Sequence, residues 1–146
     1  MKVILEPFND TSFALKTLTL PSKIGRKTKE APTTTNGIFD SKVLSRTHAE
    51  ITFTNNKVCI QDKGSSNGCF INNIRVSDEA KQSDLIELKS GDVIYFGVDI
   101  KDKDGSILYK RVSCKILFEI KIDTSIDDVL EVPIINKARD PKKFGY

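Results

Sequence analysis

The sequence predicts an all-β fold, a sandwich or a barrel. Three observations carry that expectation: apolar residues recur with a period of two, turn-forming clusters interrupt the chain at short intervals, and no long stretch has an apolar stripe at helical spacing.

β-Branched and aromatic content places the first strands at Lys2–Pro7, Thr17–Leu20 and Lys23–Gly25. The segment Lys27–Thr35 is a polar loop. Ala49, Ile51 and Phe53 then alternate with Glu50, Thr52 and Thr54, and Val58 and Ile60 alternate with Cys59 and Gln61. Successive side chains on a strand point to opposite faces, so each run describes a half-buried strand. Further short strands fall at Cys69–Ile71, Ile74–Val76, Leu85–Leu88 and Val93–Ile100. A long hairpin connection spans Ile100–Arg111. The clearest alternation closes the series: Val112, Cys114, Ile116, Phe118 and Ile120 share one face, while Ser113, Lys115 and Glu119 take the other. Leu117 is the apolar exception. On a helix those five residues would spread around the cylinder and leave no polar face.

Turn chemistry separates the strands at Asn55-Asn56, at Lys63 to Gly68, at Ser90-Gly91-Asp92 and at Lys103-Asp104-Gly105. Only Ser125–Glu131 looks helical, with Ser125 as N-cap and Asp127 and Asp128 in the first turn. The last ten residues carry little apolar surface and are expected to be mobile unless docked.

The 146 residues suit one domain with a real core. With 38% hydrophobic and 29% charged residues, the composition is that of an ordinary globular protein. The net charge of +3 weakly favours an anionic partner. Lys and Arg are scattered among Asp and Glu, unlike the clustered basic face of a nucleic-acid binder. No apolar run approaches the roughly 20 residues that span a bilayer, and the N-terminus lacks a signal-peptide core. Cys59, Cys69 and Cys114 form no CxxC pair and no cluster with the single histidine, so no zinc site is expected. A reduced, cytoplasmic setting is the simplest expectation. Asn9-Asp10-Thr11 matches a glycosylation sequon, which we read as coincidence without a secretory signal.

Three loop segments carry polar residues that strands do not require: Ile24–Arg26, Ser45–His48 and Ser65–Gly68. Each alone has an ordinary reading. Gly25 permits a tight backbone. Thr47 with Glu50 matches a helix capping box. Asn67-Gly68 is a common hairpin turn. Order and spacing give them joint meaning: Arg26 precedes Ser45 by 19 residues, Ser45 precedes His48 by three, and Asn67 follows His48 by 19.

In this order the chain resembles the forkhead-associated (FHA) domain, through Gly25-Arg26, Ser45-x-x-His48, Asn67-Gly68 and Asn72. The resemblance covers roughly Val3 to Ile122. The blocks FDSKVLSRTHAEI, DKGSSNGCFIN and SGDVIYFGVDI are similar to one FHA subfamily, that of sarcolemmal membrane-associated proteins and fungal Far-complex subunits. The resemblance implies a β-sandwich of about eleven strands with binding loops at one end. Residues 1–122 would form the FHA domain, and 123–146 an extension with a short helix and a flexible tail. It implies recognition of phosphothreonine in a partner, and no catalysis, cofactor or metal.

The residue types suit that chemistry. A phosphate carries about −1.5 to −2 charges at neutral pH and strong acceptor oxygens. Arg26 offers a planar fork of donors, and Ser45 a short hydroxyl. Arg46 and Thr47 are candidate further phosphate contacts; the ordinary reading of Arg46 is a solvated charge. Lys42 adds long-range attraction, worth little at an isolated surface position. The Asn67 amide has both donor and acceptor and suits the peptide main chain, with Ser66 beside it. His48 either braces two loops or touches phosphate; the resemblance makes it a brace. Gly25, Gly68 and Asn72 shape the supporting turns.

Rival functions are weaker. An enzyme would need more than Ser45 and His48: no Gly-x-Ser-x-Gly elbow, second histidine or nucleotide loop is present. A nucleic-acid binder would interleave aromatic and basic residues. A phospho-independent scaffold on the same fold stays open, because fold alone does not establish function. The expected partner is therefore a phosphothreonine protein in a STRIPAK/Far-like signalling assembly, with no nucleic acid and no direct membrane contact. The domain is expected to be a monomer. Any address at the cytosolic face of an endomembrane would come from sequence beyond this segment.

Overall fold

Two antiparallel-rich sheets, of six and five strands, supply the frame; the computed structural model describes residues 1–9 and 13–119. In chain order the strands are β1 (Lys2–Pro7), β2 (Lys16–Thr19), β3 (Ser22–Arg26), β4 (Gly37–Phe39), β5 (Ala49–Thr54), β6 (Lys57–Asp62) and β7 (Cys69–Ile71). They continue as β8 (Ile74–Arg75), β9 (Ile86–Glu87), β10 (Val93–Phe96), β11 (Ile100–Lys101), β12 (Ile107–Tyr109) and β13 (Val112–Phe118). The larger sheet runs β2-β1-β13-β10-β7-β8, and the smaller β4-β3-β5-β6-β9. β11 and β12 form a separate hairpin.

The period of two explains most of the side chains that meet. The exceptions are Phe53, which is 44% exposed at the end of β5, and Cys59 and Ser113, which are buried on the faces expected to be polar because the sheets are covered there too. Val3 and Leu5 of β1 and Cys114 and Ile116 of β13 turn inward from the larger sheet. Ile24 of β3, Ile51 of β5 and Ile60 of β6 answer from the smaller one, and Ile94 and Phe96 of β10 complete the core. Burying each such side chain contributes roughly 1.5–3 kcal/mol. The turn at Asn55-Asn56 forms as expected, with φ of 54° and 62°. Asparagine tolerates this left-handed region better than most residues, and a two-residue hairpin between β5 and β6 requires it.

The eleven strands of the two sheets match the number implied by the resemblance, and the β-sandwich architecture holds. Details differ. The polar connection after Arg26 ends in a strand that composition did not reveal: β4 is three residues long and pairs in parallel with β3, Ile24 opposite Gly37. The expected strand Val93–Ile100 breaks at Gly97, where φ is +84°, leaving β10 and β11. The expected hairpin connection Ile100–Arg111 does form a hairpin, and its two arms are the strands β11 and β12. Thr47 and Glu50 start no helix; Glu50 lies inside β5. Asn67-Gly68 turns no hairpin, because β6 and β7 belong to different sheets. The expected helix Ser125–Glu131 lies outside the described residues. Among those described, no helix is long and apolar enough to cross a membrane.

Candidate functional site

The cluster begins with a close backbone approach. β3 runs beside the segment entering β5, where the Arg26 amide donates to the Ser45 carbonyl at 3.0 Å and the His48 amide to the Ile24 carbonyl at 2.9 Å. Gly25 lies between these two bonds. A Cβ at Gly25 would lie 1.9 Å from the Arg46 carbonyl oxygen, so any side chain there would push the strand off its neighbour. The close fit sets Arg26 beside Ser45 although 19 residues separate them.

His48 ties the next segment in. It is fully buried. The Ser45 amide donates to its Nδ1 at 3.1 Å, and its Nε2 lies 2.7 Å from the Gly68 carbonyl oxygen. A carbonyl only accepts, so Nε2 carries the proton and the ring is neutral. Burial lowers the His48 pKa below its ordinary value, partly offset by the Gly68 bond and the charge of Asp62. Phe96 packs edge-on against the ring, with centroids 5.8 Å apart.

The Ser65–Gly68 loop hangs on a buried carboxylate. Asp62 accepts from the Gly64 and Ser65 amides at 2.9 and 2.7 Å and from the Ser65 hydroxyl at 2.8 Å. The Ser65 oxygen accepts from the Gly68 amide at 3.1 Å, and the Ser83 hydroxyl caps the Asp62 amide at 2.9 Å. The loop thus delivers Asn67, whose Nδ2 donates to the Val43 carbonyl at 2.9 Å. That bond leaves the Asn67 Oδ1 as an acceptor. The Ser66 amide donates to the Ser45 Oγ at 3.3 Å, which leaves the hydroxyl proton of Ser45 available.

These segments surround a shallow cleft of about 390 Å³ lined by Arg26, Lys42, Ser45, Arg46, Ser66 and Asn67, with Val43 and Leu44 behind. Three side chains are cationic and none is acidic. Among the described residues neither Arg26 nor Arg46 is in an ion pair. The arrangement can hold an anion with directed donors. Thr47 is exposed and outside the cleft. Asn72 is also elsewhere: at the far end of β7 it adopts φ +48° and binds the Val93 amide through Oδ1 at 2.9 Å and Asp92 through Nδ2 at 3.0 Å. Gly68, next to Asn67, sits at φ +90°.

Sequence reasoning gave no role to Asp62, Ser65 or Val43 and undervalued Lys42. Asp62 followed by Gly64 and Ser65 is the pattern of an Asx turn, which was a usable signal. Val43 contributes through its carbonyl, for which no side-chain signal exists. Lys42 reaches the cleft wall, its ammonium 5.4 Å from the centre of the Tyr109 ring. The three cysteines are free and buried; burial raises the Cys114 thiol to about 12. Among the described residues no cluster of acidic, histidine or cysteine side chains could hold a metal.

Comparison with known proteins agrees with this fold. The family profile described as FHA domain matches residues 22–97. The Schizosaccharomyces pombe protein named Uncharacterized protein C3H7.13 is 40% identical over 126 residues, covering 82% of this chain and 42% of its own length. Sarcolemmal membrane-associated protein of Mus musculus is 42% identical over 92 residues, covering 61% of this chain and 11% of its own length. The chain thus spans less than half the length of the first relative and about a tenth of the second. A solved structure described as "Structural and functional analysis of phosphothreonine-dependent FHA domain interactions" superimposes with a TM-score of 0.55 at 20% identity, covering 83% of this chain and all of its own.

Proposed function

The chain belongs to the FHA-domain family, and on that premise we propose that it is a non-catalytic module that binds phosphothreonine and recruits the phosphorylated protein into a signalling assembly. One observation carries the reading: the cleft brings three cations and a free serine hydroxyl together with no carboxylate in its lining.

In this reading Arg26 grips the phosphate with its guanidinium fork while the Ser45 hydroxyl donates from beside it. Arg46 adds charge at the rim, and Lys42 does the same from the other side. Thr47 is exposed beside the cleft-lining Arg46 and is a further candidate contact to the phosphate. Asn67 presents Oδ1 to a main-chain N–H of the peptide, and Ser66 flanks it. His48, Gly25 and Gly68 keep the loops in place; Asn72 acts at a distance through β10. Hydrogen bonds to charged groups contribute about 1.5–3 kcal/mol each, so two or three separate a phosphorylated from an unmodified peptide by orders of magnitude.

Residues 1–122 act as the binding domain, a monomer, with 123–146 as an extension. The similarity to sarcolemmal membrane-associated protein supports a place in a STRIPAK/Far-like assembly, in the cytoplasm or at the cytosolic face of an endomembrane. Calorimetry with matched phosphothreonine, phosphoserine and unmodified peptides from a library screen tests the core claim. The phosphothreonine peptide should bind at least tenfold more tightly than the unmodified one, a gap that a single bond to a charged group covers at about 1.5 kcal/mol. Equal binding of all three ends the reading.

A further inference from the structure

A second hollow, of about 330 Å³, opens between the segment entering β2, the β3–β4 connection and the start of β13. Phe13, Pro32, Ile38 and Phe39 give it apolar walls. Phe13 and Phe39 meet edge to face, with centroids 5.2 Å apart. One cation is set into it. Lys16 is only 3% exposed; its ammonium donates to the Thr33 carbonyl and lies 4.7 Å from the centre of the Phe39 ring. Asp40 lines the same hollow, yet among the described residues no carboxylate pairs with Lys16. Burial pushes the Lys16 pKa down.

A buried ammonium without a counter-ion is costly, and such groups collect where a ligand supplies the missing charge. The hollow also continues into the phosphate cleft. Asp40, Ser41 and Val112 line a trough of about 400 Å³ beneath Leu108 and Tyr109, and Lys42 lines both that trough and the cleft. One extended peptide can therefore run from cleft to hollow across a shared wall.

We propose that this hollow is a second anchor for the partner's peptide, taking a bulky apolar side chain with a carboxylate beside it, several residues from the phosphothreonine. The apolar group packs into the hollow against Phe13, Pro32, Ile38 and Phe39, and the carboxylate pairs with Lys16. The identity of the occupant rests on the phosphothreonine reading of the cleft.

The test uses peptides with phosphothreonine or threonine, carrying either Phe-Glu or Ala-Ala at spacings of about three to eight residues on either side, since an extended chain advances roughly 3.3–3.6 Å per residue. Binding is measured to the full chain and to its Lys16→Met and Phe13→Ala variants, each checked by thermal unfolding. At one spacing Phe-Glu should tighten binding by about tenfold, as burial of one large apolar side chain allows when Lys16 pairs the neighbouring carboxylate; left unpaired, that buried carboxylate cancels the gain. Both variants should lose that gain while binding the Ala-Ala phosphopeptide as the parent does. No gain at any spacing, or a gain that survives Lys16→Met, overturns the proposal. If phosphate makes no difference but the Lys16-dependent gain persists, the cleft reading fails and the anchor stands. Two results in the peptide-free protein also overturn it. A dimer lost in Lys16→Met assigns the hollow to a second copy. Altered hydrogen exchange in residues 120–146 on the same substitution assigns it to the chain's own C-terminal segment.

Discussion

Ser45 and His48 are joined by a bond that works only with a neutral ring: the Ser45 amide donates to Nδ1 at 3.1 Å, while Nε2 donates to Gly68 at 2.7 Å. Protonation would set two donors face to face at Nδ1. The folded state therefore disfavours the charged ring, and burial adds to the effect.

From this follows a pH dependence. The folded-state pKa lies below the ordinary 6.5, so the unfolded chain binds the proton first. Stability is complete above pH 6.5 and declines as the pH falls from there toward the lowered folded-state value. Urea unfolding of the parent and of His48→Gln isolates the term, which should vanish in the variant. The single histidine also gives one Hε1 resonance to follow; a midpoint at or above the ordinary value contradicts the neutral brace.

Arg26→Lys should not rescue the function lost in Arg26→Ala. Lysine keeps the charge but not the planar fork. Both variants should unfold at the parent's temperature and lose roughly 1.5–3 kcal/mol of phosphopeptide binding. Calorimetry decides, and full affinity in Arg26→Lys would reduce the role of Arg26 to bulk charge.

Asn67→Asp tests the link to Val43. The substitution replaces a donor with an acceptor opposite the Val43 carbonyl, now 2.9 Å from Nδ2, and adds a negative charge to a cleft meant for an anion. Stability should fall by about 1–3 kcal/mol, and phosphopeptide binding should fall beyond detection. A variant as stable as the parent would show that this bond does not hold the loop.

Gly25→Ala addresses the close approach of β3 to the Ser45–Arg46 backbone. With the new methyl 1.9 Å from the Arg46 oxygen, the strand must shift, costing about 1–3 kcal/mol or more. Chemical denaturation measures the loss, and phosphopeptide affinity should fall with it because Arg26 and Ser45 separate.

Much of the fold was legible because alternation is a local property. The run from Val112 to Ile116 declares its buried face through Val112, Cys114 and Ile116, although Ser113 on the other face is also buried, and β1 and β7 fall where composition put them. β4 was hidden because Gly37–Phe39 is too short to show a period and follows a polar loop. Asn67-Gly68 was misread as a hairpin because the same dipeptide serves a different turn when its flanking strands join different sheets.

The sequence by itself determined the all-β class, the family, and the residue types suited to an anion: a guanidinium, a short hydroxyl and an amide in a fixed order. Only the tertiary structure decided that Arg26, Ser45 and Asn67 face one cleft, that Lys42 joins them and that Thr47 and Asn72 do not. It also showed Asp62 and Val43 holding the loop, and Lys16 buried with no ion pair among the described residues. The reason is physical. Periodicity acts between neighbours along the chain, whereas convergence depends on strand pairing and hydrogen bonds between segments some twenty residues apart, such as His48 to Gly68. A carbonyl or a buried charge acquires its role only from what the fold places beside it.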